Sequence, residues 1–600
     1  MNVRWTLLAL GLALLPLGEG AMSNRATFLL QMVVILVAAA RAWRRGLPNR
    51  WEPLAWLWLG LLAYQGFRAA ASGALYTGLI VAADTLMLGL TAWAALELRA
   101  RQAWLSALIP GAVIQAVLAL GQLWTGRLPS FGRPTGTFQD PNHLAAYLGV
   151  AALVALNHEP SARRSSRWAW RVVAGVLVAA ILATASRGAA LALFLAALTV
   201  VRRPRRLVWA GAAAAALLTV VPNPLRARLF EARDPFAWSH PRLWGTAIRI
   251  GAEDPLFGCG PGLYEACGRR HNFPVEGSLA RYGKNPNQAH NLALEVIAEQ
   301  GLLGALLWLA AVGLLVRPAW RVAGPARAGL ILLLLQAMVS NNLENRALAV
   351  LFVLLARIGA PRAAAPAAGA LRCRPRALVA AVAAVLLYGV AWLPYQAERE
   401  ELLARRQARR EPERAAALVK RSLSKVPIDP SSWRLMAALE ARRFQRHPEQ
   451  LEALARAWLA LDRAQRLAAH DPAILDDRIA LLRLAASQGL ITRELEESVR
   501  LDLQASIRLD PFNALRRMAL AELERRSGRT EQVIASLRAA LELEPRFLRA
   551  RFELIERLTA AGRTAAARRQ RAELERLLGQ RPNWQPRSAY ERELIQLPNP

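Results

Sequence analysis

Cysteine and histidine are scarce in this chain, three and seven among 600 residues. Nowhere do they gather with Asp or Glu at the spacing of metal ligands, so neither a metal nor any other cofactor is expected. There is no G-x-x-x-x-G-K-[ST] phosphate loop and no G-x-S-x-G elbow. Those absences argue against nucleotide-driven transport and triad-type serine hydrolysis. Acidic residues are few before Pro394, 15 against 38 basic ones. A carboxylate pair for acid/base work is therefore not evident. The conspicuous acids are Asp84, Asp140, Glu295 and Glu299, and the last two share a helix face with Leu292, Val296 and Leu303, reading equally well as packing or polar contacts.

What the chain does have is apolar length. Apolar residues make up 54%, with uninterrupted runs such as Gly301–Val316, and a purely soluble protein is excluded. Thirteen stretches suit a bilayer, near 5–22, 26–40, 51–67, 74–96, 103–123, 143–157, 170–185, 188–201, 207–221, 291–316, 328–340, 346–358 and 377–395. The formal charge of +33 points away from nucleic acid, because most cations before Pro394 lie between hydrophobic runs, where membrane orientation explains them. Arg41, Arg44 and Arg45, then Arg202, Arg203, Arg205 and Arg206, then Arg372, Arg374 and Arg376 mark one set of loops as cytoplasmic. The N-terminus is then inside, with the long segment 222–290 and everything after Pro394 outside. Cys259 and Cys267 fall in the exterior loop, where oxidation to a disulfide or two unpaired thiols both fit; Cys373 falls on the reducing side.

The expected fold is all-α. It has N-terminal membrane helices over 1–221, a large exterior loop over 222–290, further membrane helices over 291–395 and a helical repeat domain over 396–600. In that last part Ala and Leu recur at helical spacing, punctuated by Asp429-Pro430, Asp471-Pro472, Asp510-Pro511 and Glu544-Pro545. The pattern resembles tetratricopeptide repeats, clearly over about 500–578. Such arrays bind partners along a groove and rarely catalyse, so a protein partner is expected there.

Chemistry is sought in the exterior loop. Arg242 and Arg249 lie seven apart on an expected helix and point the same way, which suits a diphosphate; contact with lipid headgroups is the other reading. Trp238, Trp244, Tyr264 and Tyr282 interleave with the cations, as sugar-stacking surfaces do. The loop ends in Asn287-Gln288-Ala289-His290-Asn291, directly before an apolar run.

His290-Asn291, nine residues and Gly301-Leu302-Leu303-Gly304 resemble the H-N-x9-G-x-x-G signature of the O-antigen ligase family. Gly136-Thr137-Phe138-Gln139-Asp140-Pro141-Asn142 is similar to its G-x-F-x-x-P-N segment, and Ser186-Arg187 to its Ser-Arg pair. The Arg-Trp stretch at Arg242 and the Pro255-Leu256-Phe257-Gly258 run also fit. The resemblance implies transfer of a glycan from undecaprenyl diphosphate to a hydroxyl at the periplasmic face of the bacterial inner membrane, without metal or nucleotide. The acceptor is a lipid A core sugar, a growing glycan or a protein. It implies His290 as base, Arg187 and Arg242 as stabilisers of the leaving diphosphate, and Arg249, Asn142, Asn291 and Trp244 as substrate-binding residues. Because the family includes proteins once labelled bicarbonate transporters, transport of a small anion or a glycolipid is the alternative.

Overall fold

The computed structural model describes residues 24–45, 52–95, 105–129, 132–158, 164–200, 204–205, 208–209, 211–212, 239–321, 324–359, 376–490 and 493–597. The expected span 5–22, most of 207–221, Cys373 and Trp238 lie outside them. Helix dominates and no strand occurs among the described residues. Two compact units are formed. Unit one takes the described parts of Met1–Arg68, Gly78–Arg233 and Ala289–Arg399; unit two takes those of Ala69–Thr77, Asp234–Gln288 and Glu400–Pro600.

Unit one is built from α1 (Asn24–Arg45), α2 (Pro53–Ala71), α3 (Leu75–Ala94), α4 (Leu108–Thr125), α5 (Pro141–His158), α6 (Arg164–Ala183), α7 (Arg187–Leu198), α8 (Leu292–Trp320), α9 (Pro325–Ser340), α10 (Arg346–Gly359) and α11 (Arg376–Leu386). Each lies on one of the expected apolar stretches. Among the described residues five helical segments are long and apolar enough to cross a membrane: Arg25–Arg44, Leu75–Ala94, Leu108–Thr125, Leu292–Trp320 and Arg376–Gln407. At the centre runs α5, buried without interruption from Leu144 to Ala155 and packed on α4, α6, α7 and α9. A helix apolar on every side belongs inside a bundle. Its alanines, among them Ala145, Ala146, Ala151 and Ala152, let neighbouring backbones approach closely. Large apolar side chains such as Leu29, Trp56, Phe67, Leu306 and Leu309 face outward. That surface is one lipid covers, and with these helices it makes the chain a multi-pass membrane protein.

One ion pair crosses the bundle. The Arg346 guanidinium, at the start of α10, grips Asp84 of α3 through two bonds of 2.7 and 2.9 Å and donates to Thr27 of α1 at 3.3 Å. This accounts for one of the rare acids in an apolar run, because a fork-to-carboxylate pair neutralises both charges.

In unit two the tail is a run of helical hairpins in which, from Pro412–Lys425 to Thr564–Gln580, each helix packs on the next, and the last helix, Ala589–Ile595, packs on Leu548–Ala560. Its members are α12 (Leu393–Gln407, which begins in unit one), α13 (Pro412–Lys425), α14 (Pro430–Arg446), α15 (Leu451–Leu467), α16 (Pro472–Ser487), α17 (Arg493–Leu509), α18 (Ala514–Arg526), α19 (Thr530–Leu543), α20 (Leu548–Ala560), α21 (Thr564–Gln580) and α22 (Ala589–Ile595). Asp429 and Asp471 cap α14 and α16, accepting from backbone N–H groups at 3.0 Å, with proline at the first helical position. That is the arrangement an Asp-Pro step favours. The hairpin turns Gly528-Arg529-Thr530 and Gly562-Arg563-Thr564 are the same tripeptide 34 residues apart, so the tail is a solenoid of tetratricopeptide-like units. The segment from 239 to 288 supplies α23 (His240–Glu253) and α24 (Tyr264–Gly268) to this unit, and the 69–77 turn joins it as the His470 ring donates to the Ser72 carbonyl at 2.8 Å.

Asp84→Ala is expected to lower stability by roughly 2 kcal/mol, because it leaves the Arg346 charge among helices without a counter-ion. The double variant Asp84→Ala/Arg346→Ala should recover part of that loss. Thermal unfolding of detergent-purified protein checks both.

Candidate functional site

The three motifs of the membrane part all lie in unit one, where two of them are joined directly. Two glutamines of α4, Gln115 and Gln122, stand seven residues apart on one face and hold the chain that leads into α5. Gln122 Oε1 accepts from the Thr135 and Gly136 amides, both at 2.9 Å, and its own amide donates to the Gly136 carbonyl at 2.7 Å. Gln115 accepts from the Thr137 amide at 2.9 Å and donates to its hydroxyl at 2.8 Å. Backbone that is neither helix nor strand needs such partners when water is excluded.

Asn142 then ties this segment to the Ser-Arg pair. Its side-chain oxygen accepts from Arg133 Nη2 at 3.2 Å and Ser186 Oγ at 2.8 Å, and its carbonyl accepts from Gln336 of α9 at 2.8 Å. Arg133 also donates to the Thr184 carbonyl at 2.7 Å. Asn142, expected to hold substrate, thus spends its acceptor on the protein. Ser186 caps α7, and Arg187 is the first residue of that helix, half-buried.

The second cluster surrounds His290. Asn291 caps α8, its side chain accepting from the Leu294 amide at 3.1 Å, so this residue too is engaged by the backbone. The Glu295 carboxylate reaches back to the Ala289 amide at 2.7 Å and accepts from Asn341 Nδ2 at 2.5 Å; Asn341 also donates to Glu344 at 2.8 Å. In the turn between α9 and α10, burial pushes the Glu344 carboxyl well above its usual range, and hydrogen bonding to Glu295 with the nearby charges of Glu295 and Glu299 pushes the same way. These effects favour the protonated form of Glu344, against the Asn341 hydrogen bond, which favours the charged one. Among the described residues three non-glycines lie in the left-handed region, Ala185 (φ 51°), His290 (φ 51°) and Asn341 (φ 46°). Each costs roughly 1–2 kcal/mol. His290 lies in a motif, Ala185 directly precedes the Ser186-Arg187 pair, and Asn341 bonds Glu295.

The signature's spacing has a physical meaning. Its nine intervening residues, Leu292–Gln300, are one short helix that ends where Gly301 turns to φ 63°, and the apolar part of α8 starts only beyond that break. The Gln300 carbonyl freed there accepts from the Tyr64 hydroxyl at 2.5 Å, and a Cβ on Gly304 would stand 2.9 Å from the Tyr64 ring. Gly301 is needed for its conformation and Gly304 for its lack of bulk. The expected span 291–316 falls on α8, and Glu295 and Glu299 lie on its short part before the break.

In unit two, α23 buries Leu243, Thr246, Ala247 and Ile250 and leaves Arg242 and Arg249 exposed, seven residues apart as expected. Arg242 Nη1 donates to the Pro274 carbonyl at 2.7 Å and its guanidinium lies 5.9 Å from the Phe273 ring. The Trp244 indole N–H is buried with no partner among the described residues. Two aromatics depart from the sugar-stacking expectation. Tyr264 is 2% exposed and donates to the Leu243 carbonyl, and Tyr282 stacks on Phe512. Cys259 and Cys267 are not joined in a disulfide; a hydrogen bond with the Cys259 side chain lowers the Cys267 thiol from its usual value, against the effect of burial, and Arg270 adds to the lowering. Among the described residues no group of His, Cys, Asp and Glu forms a metal site. Sequence reasoning missed Asn341 and Glu344; the polar run Asn341-Asn342-Leu343-Glu344-Asn345 between two short apolar stretches was the available signal.

A protein-family model described as O-Antigen ligase matches residues 172–309. No curated protein matches the chain. Of solved structures, "MamA RS-1 ArsTM double mutant" is 18% identical, with 32% of this chain and 98% of that one covered and a TM-score of 0.26. "Crystal structure of MamA protein" is 11% identical with the same coverage and a TM-score of 0.25.

A titration follows from Glu344. Because its folded-state carboxyl is raised, its contribution to stability is full below the ordinary carboxylate range and is lost as pH rises through the raised value. Glu344→Gln, neutral throughout, should therefore gain stability relative to the parent as pH rises from 5 to 9. Melting temperatures across that range check the sign.

Proposed function

We propose that this chain, whose residues 172–309 match a family model described as O-Antigen ligase, is a membrane glycan transferase that moves a glycan from undecaprenyl diphosphate to an acceptor hydroxyl at the periplasmic face of the bacterial inner membrane. The observation that carries the reading is His290, held in a strained conformation between the Ala289 amide bonded to Glu295 and the Asn291 cap. Its strain follows from fixing an imidazole at the mouth of a short helix, where a base is wanted.

In the proposed reaction the acceptor oxygen bonds to the anomeric carbon as that carbon's bond to the diphosphate oxygen breaks. His290 takes the hydroxyl proton, and the lipid diphosphate departs with the electron pair. Charge grows on the diphosphate, so guanidinium donors already in place lower the barrier most. Arg187 and Arg242 take that role, with Arg249 binding the donor and Trp244 offering its indole N–H to it. Asn142 and Asn291 act by holding Ser186, Arg133 and the helix start, one bond behind the reacting groups. A lipid A core sugar, a glycan or a protein serves as acceptor.

The side of the membrane is supported by unit two. The 69–77 turn, the described part of the 234–288 segment and the tail from Glu400 onward share one compact body, and a bilayer cannot run through such a core. The exterior assignment of the loop thus carries the tail with it.

In reconstituted membranes with purified lipid-linked donor, Arg187→Ala, Arg242→Ala and His290→Ala should each lower transfer by roughly 100-fold or more. Arg242→Lys should fail as well, since an ammonium cannot reproduce the guanidinium fork. Near-normal transfer by His290→Ala would overturn the reading. Comparing lipopolysaccharide, polymer length and glycoproteins in cells lacking the protein identifies the acceptor.

A reporter fused at Pro600 is expected to be active only when it works outside the cytoplasm. Activity of a cytoplasm-only reporter would place the tail, and the loop packed with it, on the wrong side for a periplasmic donor.

A further inference from the structure

The last repeats of unit two bury a carboxylate that their own helices leave largely unpaired. Glu544, in the turn between α19 and α20, is fully buried, and among the described residues of the tail the one partner of its carboxylate is the Tyr590 hydroxyl at 3.4 Å. Its close partners come from the 275–283 segment: the Arg281 amide donates to Oε2 at 2.7 Å and the Tyr282 amide to Oε1 at 2.8 Å. The segment is a closed turn, Val275 N–H bonding back to the Arg281 carbonyl at 2.8 Å, and it is seated from several sides. Ala280 is 1% exposed and belongs to the apolar cluster of Ala514, Met518, Leu537 and Phe547. Tyr282 stacks on Phe512 at 4.8 Å, and Arg546 donates to the Ser278 carbonyl at 2.8 Å. A buried carboxylate left without these N–H groups is costly, so the turn and the array hold each other.

From that contact a short path leads to the cation assigned to the diphosphate. Glu544 holds the Arg281 N–H; the Arg281 carbonyl holds the Val275 N–H; and the carbonyl of the preceding residue, Pro274, receives the Arg242 guanidinium. The neighbouring chain is braced in parallel. Asn272 bonds the Tyr282 carbonyl and Asn285, and the His271 carbonyl accepts from Thr246 on the same helix as Arg242.

We propose that Glu544 is a positioning residue for Arg242, and that this end of the repeat array is a clamp on the chain's own 275–283 turn instead of an open groove for a second protein. This rests on the transferase reading for the role of Arg242, while the clamp itself does not.

The test uses the full chain in lipid nanodiscs and has two readouts. The first is tryptic cleavage after Arg281, which needs no glycan donor. Glu544→Ala, and from the loop side Tyr282→Ala, should accelerate it at least about tenfold, since cleavage tracks opening of the turn; an unchanged rate in both overturns the clamp. The second is transfer kinetics. Glu544→Ala should lower kcat about tenfold with donor KM little changed, as expected from misplacing a group that acts in the transition state. Glu544→Gln, which keeps one acceptor oxygen, should recover part of the loss, and Glu544→Ala should add nothing to Arg242→Ala. Faster cleavage with unaltered kcat, or losses that add in the double variant, overturns the positioning role. A parent protein that is inactive with lipid-linked donor counts against the transferase reading and leaves the cleavage result to judge the clamp.

Discussion

A bundle of helices in lipid can keep irregular backbone only where its N–H and C=O groups find partners inside the protein. Everything chemical in unit one depends on meeting that demand. The chain leaves helix geometry at 132–140, 184–186, 289–291 and 341–345, and at each place the freed backbone groups find partners. Gln115 and Gln122 serve the first, Arg133 takes the Thr184 carbonyl of the second, Glu295 takes the Ala289 amide of the third, and in the fourth the Glu344 and Asn345 amides bond back to the Asn341 and Asn342 carbonyls. Had these residues been apolar, the same segments would have collapsed into longer helices and no polar end would exist. The strain at Ala185, His290 and Asn341 is tolerable for the same reason: several bonds over-determine each position.

The repeat tail follows a different logic. Four acidic-proline steps look alike in sequence, yet they have diverged. Asp429 and Asp471 cap helices. Asp510 instead pairs at 2.5 Å with the buried Arg516, while Asn513 takes over the cap of α18. Glu544 turns away from helix starts altogether and captures the 275–283 turn. One extra methylene and a neighbouring apolar seat separate a cap from a clamp. A solenoid tolerates such drift because each hairpin needs only its neighbours for support.

Helical class, the apolar stretches and the hairpin tail were legible because 3.6-residue periodicity, long apolar runs and Asp-Pro or Gly turns are local signals that need no knowledge of the fold. The same holds for the positions of His290, Arg187 and Arg242, which stand in short contiguous motifs. Roles that depend on distant partners were not legible. Asn142 and Asn291 read as substrate ligands from their motifs, whereas in the fold their acceptors meet Ser186, Arg133 and the Leu294 amide. Tyr264 and Tyr282 read as sugar platforms until packing buried one ring and stacked the other on Phe512.

By itself, then, the amino-acid order determined which segments are helical, which of them suit lipid and where the tail repeats. Tertiary structure alone decided that Glu295 answers to Asn341 and Glu344, that Asp84 is paired with Arg346, that α8 breaks at Gly301 against Tyr64, and that Glu544 reaches the loop. The reason is range. Backbone propensity acts over a few residues, whereas these contacts join positions 46, 262, 236 and 263 apart in the cases of Asn341, Arg346, Tyr64 and Arg281. Whether a polar side chain at one of those positions is a ligand, a brace or a proton store depends on what the fold brings to it.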